Sequence, residues 1–130
     1  MSEENVEAVR ATLARLNRGE PVIDVLSPDV VWEVHAGPEP GEFRGVESVA
    51  GYYRRYLGTW EDFRVDVEEI RDAGDDKVFL ATRDRGRGKS SGVDVEMPVF
   101  HVWTLKGGKV IRGAAFPSRQ QALKAAGLSE

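Results

Sequence analysis

The sequence predicts an α+β domain in which helices cover one face of an antiparallel sheet. Two observations lead to this prediction. Apolar residues recur with helical spacing in the first 57 residues and again near the end, whereas the stretch from about residue 63 to residue 116 alternates with a period of two. Helices that precede a run of strands joined by short turns are typical of an α+β fold, not of a parallel α/β fold.

Turn and capping residues divide the chain into elements. Glycine and proline mark most boundaries, and Ser118 with Gln121 is a capping-box pattern that opens a helix. The predicted elements, in chain order, are a helix ending near Gly19, a short helix from Pro21, a strand over 30–35, a loop over 37–41, a helix over 46–57, strands over 63–71, 78–87, 93–106 and 109–116, and a helix from Ser118 to Gly127.

The strand that starts near Val93 contains the most informative residue. Strict alternation over this length indicates one buried face, because successive side chains of a strand point to opposite sides of the sheet. The buried row is apolar except for one histidine: Val93, Val95, Met97, Val99, His101, Trp103 and Leu105. A histidine in such a row lies in or beside the core, where it needs a hydrogen-bond partner or a cavity.

A two-residue turn follows this strand. Gly107 and Gly108 suit a type I′ hairpin, which needs positive φ at both central positions. With that turn, every cross-strand pair sums to 215, so the predicted pairs on the His101 face are Leu105 with Val110, Trp103 with Arg112, His101 with Ala114, and Val99 with Phe116. Because alanine is small, the register predicts a gap beside His101, with an arginine and aromatic rings around it.

Composition narrows the function classes. The 130 residues are expected to form a single domain over 1–130, since a chain of this length buries one good core. A net charge of −4 argues against nucleic acid or an anionic membrane as a partner. The absence of cysteine excludes disulfides, thiol nucleophiles and cysteine-ligated metals. With an acidic amino terminus and no long apolar run, the expected location is cytoplasmic.

Short motifs spread over nearly the whole chain match one family. In this order and spacing the chain resembles the SnoaL-like branch of the nuclear transport factor 2-like superfamily. The matching segments are Asn5-Val6-Glu7, Asn17-Arg18-Gly19, Ser27-Pro28-Asp29-Val30 with Trp32, Phe43-Arg44-Gly45, Trp60-Glu61-Asp62-Phe63, Asp72-Ala73-Gly74-Asp75, Arg85-Gly86-Arg87-Gly88, and His101-Val102-Trp103-Thr104-Leu105 with Gly108-Lys109.

The resemblance implies a strongly curved antiparallel sheet, wrapped as a cone around a central hydrophobic pocket that helices close. Polyketide cyclases, ketosteroid isomerases, epoxide hydrolases and binding proteins share this fold, often as homodimers through the outer sheet face, so fold alone does not decide the reaction. Their catalytic sets match only in part. His101 corresponds to a pocket histidine of the cyclases, but residues 113–117 lack the cyclase acid, and Val34 with His35 occupies the position of the isomerase aspartate. The Asp-Arg-Asp set of the hydrolases is not found.

His101 is the predicted catalytic residue, a general acid or base whose pKa the pocket sets. The alternative is a core histidine that is hydrogen-bonded within the protein and meets no ligand. His35 reaches the pocket only if its strand is bulged, and otherwise lies on the surface. Arg112 either binds an anionic ligand group beside Trp103 or extends its charged end to the rim. The predicted ligand-binding residues are Trp32, His35, Tyr53, Tyr56, Trp103, Arg112 and Phe116.

We therefore expect a protein that binds a small, largely hydrophobic molecule, with cofactor-free isomerase or cyclase chemistry centred on His101. Two histidines, distant in sequence, do not suggest a metal site. The alternating arginines at 83, 85 and 87 are expected to form a solvated strand face. The alternative function is a non-catalytic domain with a filled pocket that dimerises through an apolar outer patch of Phe100, Val102, Ile111 and Ala115.

Overall fold

A computed structural model of the chain describes residues 2–35 and 39–129. The described residues form three α-helices, one 3₁₀ turn and six strands. In chain order they are α1 (Ser2–Asn17), the 3₁₀ turn (Ile23–Val25), β1 (Leu26–Val34), β2 (Gly41–Arg44), α2 (Val46–Leu57), β3 (Trp60–Gly74), β4 (Lys77–Gly88), β5 (Asp94–Lys106), β6 (Lys109–Phe116) and α3 (Arg119–Ala126). No helix among the described residues is long and apolar enough to cross a membrane.

The α+β class is confirmed, but the sheet is mixed. Its strand order is β2-β1-β6-β5-β4-β3, and all neighbours are antiparallel except β1 and β6, which run parallel. The prediction of a fully antiparallel sheet was therefore wrong at one pairing. Parallel neighbours need a long connection, and the helix α2 with strands β3 to β5 supplies it. The sheet is open at both of its edges, β2 and β3.

Helices lie on both faces of this sheet, not on one face as expected. On the inner face, α1 and α2 pack against a core that includes Val9, Val49 and Leu80. On the outer face, α3 covers the middle strands, where Leu123 packs with Phe79. Because helices cover both sides of β4 at its start, both faces of that strand are apolar there.

Helix α3 also changes the predicted dimer surface. Val102 is buried in the outer cluster beneath α3, and Phe100 packs against the same cluster. Ala115 lies opposite His101 and is buried. The predicted patch is therefore not one continuous exposed surface, because a helix covers part of it and one member belongs to the inner face. Homodimer formation itself stays a prediction.

The β5–β6 register differs from the predicted one beyond the turn. Lys106 pairs with Lys109 and Leu105 with Val110, as expected for a Gly-Gly hairpin. A bulge between Thr104 and Leu105 then shifts the partner by one residue, so the later pairs are Thr104 with Arg112, Trp103 with Gly113, His101 with Ala115, and Phe100 with Phe116. A shift of one residue moves every later side chain to the other face of the sheet.

The remaining elements follow the sequence closely. The Ser118 hydroxyl accepts a hydrogen bond from the Gln121 backbone amide, and Gly127 ends α3 in the left-handed conformation with φ of 76°, which confirms both capping predictions. The short helix expected after Pro21 is only a 3₁₀ turn. Residues 37 and 38 of the expected loop lie outside the described residues, and Gly41 begins the additional strand β2.

One polar contact fixes α1 against the sheet. The Asn17 side-chain amide donates to the Val65 carbonyl and its oxygen accepts from the Val65 amide, both at 2.8 Å. These two bonds hold the carboxyl end of α1 against β3.

Candidate functional site

A cavity of about 340 Å³ lies between the inner face of the sheet and the helices α1 and α2. Most of its wall is aliphatic or aromatic. Trp32 forms the centre of the aromatic part, with ring centroids 5.5 Å from both Tyr53 and Trp103 in edge-on contacts. A volume of this size suits a small organic molecule, and an apolar wall with few polar groups is typical of ligand pockets. The alternative of a filled pocket is therefore not what the structure contains.

The main polar group of this wall is a carboxyl group that the sequence analysis did not single out. Asp84, on β4, is buried and lines the cavity. The Tyr56 hydroxyl donates to its Oδ2 at 2.7 Å, and the Thr82 hydroxyl approaches its Oδ1 at 3.3 Å. Thr82 Oγ1 is also 3.4 Å from the Val99 carbonyl, so one proton is shared between two acceptors. The carboxyl group thus has two donors and lone pairs to spare.

Burial determines the protonation of this pair. Desolvation raises the pKa of Asp84, while the hydrogen bonds from Tyr56 and Thr82 lower it and only partly offset the effect. Burial, followed by the nearby Asp84 charge, raises the pKa of Tyr56. No described cation forms an ion pair with Asp84. The site therefore holds a tyrosine that keeps its proton and a carboxylate that is a stronger base than an exposed one.

His101 lies where the sequence placed it, on the inner face of β5 and on the cavity wall. Burial lowers its pKa to about 4. Its Nδ1 atom is buried and has no hydrogen-bond partner among the described residues, and the same holds for Trp103 Nε1. The core-histidine alternative, in which the imidazole is hydrogen-bonded within the protein, is thus not observed. At neutral pH the ring is uncharged and retains unused hydrogen-bonding capacity.

Asp84 and His101 occupy different parts of the cavity. On the β4–β5 ladder, His101 pairs with Leu80 and Asp84 pairs with Met97, so four positions separate them. At about 3.3 Å per residue this is roughly 13 Å along the strands. The two groups can contact different parts of one ligand, but they are not placed to act on the same atom.

Three predicted ligand-binding residues lie outside the cavity, because their side chains point to the outer face of the sheet. The bulge between Thr104 and Leu105 turns Arg112 and Phe116 to the outer face, where Arg112 forms an ion pair with Glu33. His35 lies on that face too: its ring stacks on Phe116 at 4.9 Å and its Nε2 is 3.2 Å from Glu33 Oε1. The pairing of β1 with β6 is regular from Val31 to Val34, so simple alternation places His35 on the outer face. The register shift in β1 lies earlier, between Leu26 and Val31, and does not turn His35 inward.

The other predicted ligand-binding residues line the cavity: Trp32, Tyr53, Tyr56 and Trp103. The arginines of β4 lie on its outer face, as expected, and they also form ion pairs there, for example Arg85 with Asp66 at 2.7 Å. Among the described residues, no three acidic or histidine side chains are grouped so that they could hold a metal ion.

Comparisons with known proteins agree with this architecture. The SnoaL-like domain family matches residues 6–113. Among solved structures, Bal32a from a soil-derived mobile gene cassette has a TM-score of 0.78 at 22% identity, covering 95% of this chain and 96% of that one. A nuclear transport factor 2-like protein from Burkholderia thailandensis E264 has a TM-score of 0.76 at 25% identity, covering 96% and 98%.

A protein with a ketosteroid isomerase-like fold from Catenulispora acidiphila DSM 44928, in complex with trimethylamine, has a TM-score of 0.73 at 20% identity, covering 95% and 94%. No curated protein matches the sequence. Identities this low establish the fold and leave the activity to be argued from the cavity itself.

Proposed function

This chain belongs to the SnoaL-like domain family, and we propose that it binds a small, largely hydrophobic molecule in the cavity and moves a proton on that molecule by cofactor-free acid–base chemistry. One observation carries the proposal. A buried carboxyl group, Asp84, lies on the wall of a largely apolar cavity of about 340 Å³ and forms an ion pair with no described cation. Buried titratable groups facing a cavity are typical of active sites.

Asp84 suits the role of general base for a carbon acid. Burial raises its pKa, which makes the carboxylate a better proton acceptor, and Tyr56 holds it in one orientation. In the proposed step, a C–H bond beside a ligand carbonyl breaks and the proton moves to an Asp84 oxygen. The electron pair moves to the carbonyl oxygen, giving an enolate. Where a C=C bond is conjugated with the enolate, return of the proton from Asp84 to the far carbon completes an isomerisation. Where the enolate carbon instead attacks a second carbonyl, a C–C bond forms, the C=O π bond breaks, and the proton on Asp84 passes to the new alkoxide as the ring closes.

His101 has a different role in this proposal from the one that the sequence suggested. A pKa of about 4 leaves the imidazole neutral at pH 7, so it is a poor proton donor there. Its ring nitrogens remain available as hydrogen-bond donor and acceptor in an apolar wall, and Trp103 Nε1 adds a second donor on the same strand face. We assign His101 to hold a polar group of the ligand at a distance from the reacting carbon.

The proposal is tested with 2-tetralone, a hydrophobic bicyclic ketone with exchangeable protons beside its carbonyl. Proton NMR in D₂O at pH 7 follows the loss of those protons with and without protein. The wild-type protein is expected to accelerate exchange above the buffer rate. Asp84→Asn should reduce the acceleration at least a hundredfold, because general-base catalysis contributes about 10²–10⁴ in rate.

The control is Asp66→Asn, since Asp66 is paired with Arg85 on the outer face. This variant should exchange like the wild type. Equal exchange by the wild type and Asp84→Asn would refute the base assignment. A ketone that neither exchanges faster nor shifts the thermal midpoint of the protein would count against the binding function itself.

A further inference from the structure

Arg54 differs from every other arginine of the chain. The sequence has thirteen arginines. Twelve of them lie within 4.0 Å of a carboxylate. Arg54 is the exception among the described residues, and it is also the one described arginine that lines the cavity. A charge left without a partner at a binding cavity is the group that a ligand of opposite charge would meet first.

The exposure of the lining residues shows where the cavity opens. Every lining residue is buried or half-buried except Pro21, Ile23 and Arg54, which are exposed. The opening therefore lies between the segment around the 3₁₀ turn and the carboxyl half of α2. Arg15 fixes the first of these borders, because its guanidinium donates to the Asp24 carboxylate and to the Pro21 carbonyl. Arg54 is the charged group on the second border.

The position of Arg54 in helix α2 does not by itself explain why it lacks a carboxylate partner among the described residues. Arg54 and Arg55 both lie in the last turn of α2, where a cation interacts favourably with the helix dipole. Arg55 is in addition bound by Glu39, at 2.8 and 3.0 Å. The dipole accounts for both arginines equally. It does not account for the difference between them. Arg54, which lines the cavity, forms an ion pair with no described carboxylate, whereas Arg55, which does not line it, is paired with Glu39.

We infer that Arg54 selects for a ligand with an anionic end, a carboxylate or a similar oxyanion, on a hydrophobic body. The inference rests on the proposed function and specifies its ligand class. The apolar body occupies the cavity, while the anion stays at the opening, where water remains available and no carboxylate competes for the guanidinium. A planar guanidinium suits this task because it donates two parallel hydrogen bonds to one oxyanion. The chain as a whole is negative, so the attraction is local.

Two fluorescent probes with the same ring skeleton test this inference. 8-Anilinonaphthalene-1-sulfonate carries an anionic sulfonate, and N-phenyl-1-naphthylamine is the same molecule without it. Each probe is titrated into the wild type, Arg54→Gln and Arg55→Gln at low and at 0.3 M salt. Arg54→Gln should raise the Kd of the sulfonate about threefold to tenfold and leave the neutral probe within twofold. Arg55→Gln should change neither, and salt should weaken only the sulfonate with the wild type.

A third variant tests whether both probes bind in the cavity. Ala50→Phe adds a ring to the wall one turn before Arg54 and should weaken both probes together. The inference is overturned if Arg54→Gln weakens both probes equally, if Arg55→Gln has the same effect on the sulfonate, or if Ala50→Phe weakens neither. Binding of the neutral probe without preference for the sulfonate would reject the inference alone. Failure of both probes to bind the wild type would reject the proposed function with it.

Discussion

Asp84→Asn should stabilise the protein at neutral pH, although it removes the proposed base. An asparagine has nearly the shape of an aspartate, and its carbonyl oxygen can accept the hydrogen bond that Tyr56 now donates to Oδ2 at 2.7 Å. Its amide can donate to Thr82 Oγ1, which leaves the Thr82 proton to the Val99 carbonyl. The substitution therefore keeps the hydrogen bonds and removes a buried charge that no described cation compensates.

The size of the gain follows from the linkage between protonation and folding. Burial raises the pKa of Asp84 in the folded state, so the folded protein binds a proton more readily than the unfolded chain. Above that pKa the buried charge lowers the free energy of unfolding, and each tenfold difference in proton affinity is worth about 1.4 kcal/mol. We expect Asp84→Asn to raise the free energy of unfolding at pH 7, because the variant no longer carries this buried charge. The gain should shrink as the pH falls and Asp84 becomes protonated.

Urea unfolding followed by tryptophan fluorescence, at each pH from 4 to 8, measures this difference. The matched control is Glu39→Gln, an exposed carboxylate whose pKa the Arg55 hydrogen bond lowers. Glu39→Gln should lower the free energy of unfolding, because it removes a favourable partner of Arg55. An Asp84→Asn variant that is less stable at pH 7, or whose advantage does not depend on pH, would refute the account of Asp84 as an uncompensated buried charge.

Two further predictions concern the cavity wall. Burial lowers the pKa of His101 to about 4, against about 6.5 in the unfolded chain, so between these pH values only the unfolded chain binds a proton at this histidine. The free energy of unfolding should therefore fall by about 3 kcal/mol from pH 6.5 to pH 4. Urea unfolding of His101→Gln should lack this fall, and an acid dependence equal to that of the wild type would contradict the prediction. Gly113→Ala should lower the free energy of unfolding by about 1–3 kcal/mol, because its Cβ would lie closer than 3.0 Å to three carbons of the buried Trp32 indole. Gly51→Ala, on helix α2, is the control and should not destabilise.

The sequence predicts most of the fold because its signals are local. The alternating row on β5, the two glycines of the hairpin and the Ser118 cap each depend on residues that are near each other in the chain. They lead correctly to the strands, to the last helix and to an inward His101 beside a cavity. The neutral state of that histidine follows from its complete burial, which sequence alone does not reveal.

The errors arise where tertiary contacts decide. One bulge between Thr104 and Leu105 turns Arg112 and Phe116 outward, and the alternation of apolar and polar residues does not predict a bulge. The parallel pairing of β1 with β6, and the packing of α3 on the outer face, likewise depend on partners remote in sequence. Each of these features changes which face a residue occupies, so the predicted arginine of the pocket belongs instead to an outer ion pair.

Asp84 could have been found from the sequence. Its neighbours in sequence, Arg83 and Arg85, indicate that one face of this strand is charged and exposed. A row of arginines at alternate positions places the intervening aspartate on the opposite, inner face, together with Thr82. The signal was hidden because both faces of the first half of β4 are apolar, one packing against the inner core and the other against α3.

Burial acts on the two ionisable groups of the cavity in the same way, although one is an acid and the other is a base. It favours the neutral form of each, raising the pKa of Asp84 and lowering that of His101 to about 4. Asp84 is nevertheless the group to assign as base. Tyr56 and Thr82 donate hydrogen bonds that favour its charged form and partly offset burial, whereas no described residue supports an imidazolium. In the proposed function, the same largely apolar wall thus carries one proton acceptor and, roughly 13 Å along the strands from it, one neutral hydrogen-bonding ring that can hold a second polar group of the same ligand.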